Sequence, residues 1–142
     1  MPSTSLTTKT RVSNAWIRTV GLLGAVGVAL GAFGAHGLKD RITPNLLEVY
    51  RTGVLYHLLH TVALLGVVVA GPRLKLGVVT RWAFLSGVFV FSGTLYTLAL
   101  TGLLWLGAIT PVGGLAFIVG WVALFVGGVT QNFVPEPSRG TQ

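Results

Sequence analysis

The chain of 142 residues has no cysteine. Disulfides, thiolate metal centres and thiol nucleophiles are excluded. Charge is nearly as scarce. Only 9% of the residues are Asp, Glu, Lys or Arg, against about 25% in an ordinary soluble domain. Just three are acidic: Asp40, Glu48 and Glu136. So few charges cannot coat a water-facing surface, which excludes a soluble enzyme, a disordered chain and a DNA-binding domain. What is present instead is apolar. Hydrophobic residues make up 52% of the chain, and the mean hydropathy is +0.78. This is the composition of a small integral membrane protein, with the lipid bilayer as its first partner.

The net charge of +7 does not imply a nucleic-acid partner, because the basic residues form no patch. They sit in short segments between long apolar runs, where they set membrane orientation. Residues 1–15 are polar and read as a disordered N-terminal tail. Residues 16–130 read as the membrane domain, and residues 131–142, with Pro135-Glu136-Pro137, as a polar C-terminal tail. The first span is placed at 16–36. The 21 uncharged residues between Arg51 and Arg73 hold the second, at 53–71. The 54 uncharged residues between Arg81 and Glu136 would reach roughly 81 Å as one helix, far beyond a hydrocarbon core of about 30 Å. They must fold back, and Thr101-Gly102 marks the turn between spans at 82–101 and 110–130.

Four spans place the N-tail, the 72–81 loop and the C-tail on one side. That side carries seven Lys and Arg, against Lys39, Arg41 and Arg51 on the other. Both termini are therefore expected in the cytoplasm, with the protein in the plasma (inner) membrane. A cleaved signal peptide is the competing reading of the first apolar run. Its glycines, at helical packing spacing, favour a retained span. Thr43-Pro44 and Thr110-Pro111 are each a Thr N-cap followed by Pro at the first helical position. They stand 67 residues apart, a weak sign of two hairpin copies.

Small residues mark the packing faces. Gly21, Gly24, Gly27, Gly31 and Gly34 recur along span one, and Gly113, Ala116, Gly120, Ala123 and Gly127 along span four. In lipid, helices associate by close backbone approach and van der Waals contact, which such stripes permit. Span two offers Gly53, His57, His60 and Leu64, and span three offers Ala83, Ser86, Val90, Gly93 and Thr97. The expected fold is an all-α, left-handed four-helix bundle. The stripes suit contact with a second copy equally well.

Polar residues at depth are few. By chain direction His36, Tyr56, His57, His60, Ser92, Tyr96 and Thr110 fall in the outer half of the spans. His60 lies seven residues past Gly53, roughly 10 Å down an upright helix. The three histidines and two tyrosines are expected to converge on one outer-leaflet pocket. Two roles compete for them: hydrogen bonds that hold the bundle in register, or a site for a small molecule, a quinone head group or a proton. A metal site of His36, His57 and His60 is a third reading, weakened by the lack of a carboxylate within a span. No cofactor is implied. No Gly-x-Ser-x-Gly or Gly-x-Gly-x-x-Gly occurs, and Ser92 reads as packing glue more readily than as a nucleophile. Trp121, in mid-span, reads as a bundle or lipid-facing filler whose indole N–H needs a partner.

Four ordered motifs carry a resemblance. They are Gly31-Ala32-Phe33-Gly34-Ala35-His36, Thr52-Gly53-Val54-Leu55-Tyr56 with His60-Thr61, Phe91-Ser92-Gly93-Thr94-Leu95-Tyr96, and Thr110-Pro111-Val112-Gly113-Gly114. Over roughly residues 16–130 the chain resembles the domain-of-unknown-function 423 family of small bacterial inner-membrane proteins, itself similar to the eukaryotic transmembrane protein 256. The resemblance implies a multi-pass plasma-membrane protein and no particular reaction. His36, Tyr56, His60, Ser92, Tyr96, Thr110 and Pro111 match its motifs. Position 57 departs, being Gln in one family member, which counts against a two-histidine metal pair. The leading expectation is a non-enzymatic bundle that assembles with itself or with a larger membrane complex. The alternative is small-molecule, quinone or proton handling at the His/Tyr pocket.

Overall fold

The computed structural model describes residues 13–71 and 74–129. The polar tails and Arg73 fall outside them, apart from Ser13, Asn14 and Ala15. Four helices are long and apolar enough to cross a membrane: α1 (Asn14–Gly37), α2 (Pro44–Ala70), α3 (Gly77–Thr101) and α4 (Thr110–Val129). The short turn Leu104–Ala108 leads into α4. No strand is present among the described residues.

Helix ends follow local chemistry. Thr43 caps α2, its hydroxyl accepting from the Leu46 N–H at 3.4 Å, and Pro44 takes the first helical position. At the far end of α3, Gly102 stands at φ 73° and donates to the Leu98 carbonyl at 2.8 Å, a left-handed cap that suits glycine. The second Thr-Pro pair plays a different part. The Thr110 hydroxyl meets that of Thr94 at 3.0 Å and the Leu106 carbonyl at 3.3 Å, so it ties α4 to α3. The hairpins are thus not equivalent at their caps.

Helices α2 and α3 pack against one another, with α1 laid on α2 and α4 on α3. One core cluster joins all four through Val20 and Leu23, Leu64, Val67 and Val68, Phe84 and Val88, and Phe117. A second gathers Leu38, Leu47, Tyr50 and Ala99 near the α1–α2 turn. The α4 stripe lies against α3. A Cβ at Gly113 would collide with the Phe91 backbone, one at Gly120 would come within 2.5 Å of the Phe84 ring, and one at Gly127 within 3.1 Å of the Leu76 nitrogen. The α1 stripe divides. Gly27, Gly31 and Gly34 face Leu58, Val54 and Tyr50 of α2, whereas Gly21 and Gly24 have no neighbour within 4 Å.

The face expected for span three is not the one that packs. Ser86 and Thr97 are exposed, and Gly93 has no neighbour within 4 Å. The buried positions are instead Thr80, Phe84, Gly87, Val88, Ser92, Leu98 and Ala99. The departure begins in the regular α-helical stretch, where the Phe84 ring fills the space left at Gly120 and Ser86 is turned outward, and a π-helical turn follows at Val88–Ser92. Phe84 and Val88, four apart, share one side as in any α-helix, and Ser92 is buried at the end of the wider turn. A π turn also ends α1, at Phe33–Gly37.

Gly113→Ala, forced into the Phe91 backbone, is expected to destabilise the bundle by about 2 kcal/mol. Gly21→Ala, in open space, should leave stability unchanged or raise it by up to about 1 kcal/mol. Unfolding in detergent micelles checks both.

Candidate functional site

Histidine 57 sits at the meeting of three helices and is 4% exposed. Its Nε2 faces the Leu23 carbonyl of α1 at 3.0 Å, and its Nδ1 faces the Tyr96 hydroxyl of α3 at 3.2 Å. A carbonyl can only accept, so the proton lies on Nε2, and Tyr96 donates to Nδ1. Tyr96 packs beside Tyr50, ring centroids 5.0 Å apart. The Tyr50 hydroxyl in turn donates to the Leu30 carbonyl at 3.0 Å, a second bond from α2 to α1. Gly53 makes room for the Tyr96 ring, which would stand 3.0 Å from a Cβ there.

Histidine 60, also 4% exposed, turns to the other side of α2. Its Nδ1 donates to the Tyr56 carbonyl of its own helix at 2.9 Å, which leaves Nε2 to accept from the Trp121 indole of α4 at 3.3 Å. The imidazole stacks on Phe117 with centroids 3.5 Å apart, and Tyr56 stacks on Phe91 at 4.5 Å. Phe84 closes the cluster against His60 and Trp121, at 5.6 and 5.1 Å. The two histidines are therefore opposite tautomers in separate networks.

This arrangement corrects the single-pocket expectation. His57 and Tyr96 lie on the α1–α3 side of α2, and Tyr56 and His60 on the α4 side. His36 is exposed in the last turn of α1 and joins neither network. Although 60° apart on one helix, His57 and His60 straddle the boundary between two interfaces because α2 is packed from both sides. The metal reading fails on the same geometry. Among the described residues no group of three His, Asp or Glu comes together, and both histidines spend both ring nitrogens on protein partners. Ser92 is 1% exposed, and its hydroxyl has no hydrogen-bond partner among the described residues, a histidine included. Thr110 bonds Thr94, away from either histidine.

Several participants were not singled out from the sequence as site residues: Tyr50, Thr94, Phe91 and Phe117. The Trp121 indole, which the sequence shows only to need a partner, finds it in His60. For Phe117 the signal lies in spacing. Phe117 and Trp121 stand one turn apart on α4, as Tyr56 and His60 do on α2.

A family model described as a protein of unknown function (DUF423) matches residues 30–114. The chain belongs to the DUF423 family. It is 44% identical over 115 residues to the UPF0382 membrane protein YwdK of Bacillus subtilis, covering 76% of this chain and 94% of that one. It is 40% identical over 112 residues to the UPF0382 inner membrane protein YgdD of Escherichia coli, covering 75% and 82%. A UPF0382 membrane protein of Haemophilus influenzae is 38% identical over 117 residues, covering 82% and 94%. No solved structure matches the chain. The family match spans α2 and α3 whole, and so includes every member of the His57 network but Leu23. These relatives are named membrane proteins, and the chain, with its four apolar helices, is a multi-helix membrane protein.

Double-mutant cycles should separate the two networks. His57→Phe with Tyr96→Phe, and His60→Phe with Trp121→Phe, are each expected to couple by about 0.6 kcal/mol, as typical of hydrogen bonds between membrane helices. Tyr96→Phe with Trp121→Phe should be additive, since they share no partner. Reversible unfolding in mixed micelles measures all three.

Proposed function

We propose that this DUF423 protein is a non-enzymatic bundle of the plasma membrane, with both termini in the cytoplasm, that assembles with itself or with another membrane protein. The observation that carries this reading is the outer face of α1. Gly21, Ala25, Ala29 and Ala32 follow one another at spacings of four, four and three residues, and all are exposed. A Cβ at Gly21 would meet nothing within 4 Å. That face offers close helix approach, and no part of the described chain uses it. The polar inventory supports a structural role, since both buried histidines bond across helices rather than toward an open catalytic cleft. Orientation rests on the charge bias of seven Lys and Arg against three. It is supported by Trp16 and Trp82, edge to face at 5.4 Å, with the Arg81 guanidinium 5.3 Å from the Trp16 ring, an interfacial group at the end expected to face the cytoplasm.

Two measurements test this reading. Native mass spectrometry in gentle detergent should show a dimer or a larger complex for the wild type, and the monomer alone for Ala25→Leu/Ala29→Leu. A wild type that is monomeric and carries no other protein contradicts it. The absence of native cysteine makes labelling clean. A membrane-impermeant maleimide applied to intact cells should label Lys39→Cys and spare Lys75→Cys, and the reverse pattern contradicts the orientation.

A further inference from the structure

Helices α2 and α4 run in the same direction, both starting at the end that carries Thr43 and Thr110. Between them lies a groove of about 710 Å3, within the roughly 300–1,000 Å3 usual for small-molecule sites. Tyr56, Pro111 and Gly114 line its upper end, and His60, Phe117 and Trp121 its lower end. From Pro111 to Trp121 it extends about 15 Å along α4. Its back is a set of fixed rings, with Tyr56 stacked on Phe91 and His60 on Phe117.

The polar groups in this groove are unequal. His60 and Trp121 satisfy one another at the bottom. Tyr56 is 37% exposed, and its hydroxyl bonds none of the described residues, so one donor stands ready at the top with apolar walls below it. No Lys or Arg lines the groove, so nothing there complements a phosphate. The rings that remain accessible, Tyr56 and Trp121, offer flat apolar surface to a flat head.

We propose that the α2–α4 groove binds an uncharged, lipid-soluble amphiphile with a flat, carbonyl-bearing ring, of the quinone class. The carbonyl accepts from the Tyr56 hydroxyl, and the tail runs down past Phe117 and Trp121. This site lies away from the outer face of α1, so it stands or falls separately from the assembly proposed above. Gly114 gives it a sharp test. A Cβ there meets only Phe91 ring carbons at 3.8 Å, an ordinary contact. The fold tolerates a side chain at that position, whereas the groove loses its space.

The experiment titrates the full-length protein, in nanodiscs of phosphatidylethanolamine and phosphatidylglycerol, with decylubiquinone and follows tryptophan fluorescence. The wild type should show a saturable quench that Trp121→Phe removes. Tyr56→Phe should shift it to about tenfold higher concentration, the worth of one hydrogen bond, with an unchanged melting temperature. Gly114→Leu should abolish it, and should Gly114→Leu misfold, Gly114→Val should weaken it. Quenching that rises linearly with quinone and equally in every variant overturns the proposal. So does a saturable quench indifferent to both Tyr56→Phe and the Gly114 substitution, or a tightly held phospholipid that decylubiquinone fails to displace.

Discussion

A polar side chain on a helix in lipid has no water to bond, so the partners it finds come from its own helix or a neighbouring one. In this protein that constraint falls hardest on α2, which carries two buried histidines three residues apart. Each ring has two nitrogens to satisfy. His57 satisfies both across helix boundaries, one toward α1 and one toward α3. His60 spends one nitrogen on its own helix and the other on α4. Every flanking helix is thereby tied to α2 by a directional bond, and the apolar packing of the core is held in one register. Dispersion contacts alone would specify that register weakly, since lipid is as apolar as leucine.

The glycines make those bonds reachable. Gly27 and Gly34 let α1 lie close to α2, which sets the Leu23 and Leu30 carbonyls within reach of His57 and Tyr50. On the other side, Gly113 and Gly120 bring α4 against α3, which positions Phe117 and Trp121 over His60. Small residues and hydrogen bonds are thus one device. The close approach shortens the distance, and the bond fixes the rotation.

The number of spans was legible because it depends only on where charge is missing, and the α4 glycine stripe was legible because an unbroken helix keeps its period. The face of α3 was not, because its small residues mark one stripe while the helix turns on Phe84, whose ring fills the space at Gly120, and no residue in Val-Phe-Val-Phe-Ser announces the π turn that follows. The site was legible as a set of residue types but not as a grouping. Spacing places His57 and His60 on one side of α2, yet only the neighbours decide that this side is divided between two interfaces. His36 was misplaced for a related reason. Position near a span end says nothing of rotation about the helix axis, and His36 is exposed in the last turn of α1, outside both networks.

Solid-state NMR of the histidine rings, labelled with 15N and 13C in protein reconstituted in bilayers, tests the central claim most directly. The account predicts two distinct, non-exchanging tautomers, with the proton on Nε2 of His57 and on Nδ1 of His60. Two rings of the same tautomer, or rings averaging rapidly between the two forms, would contradict it.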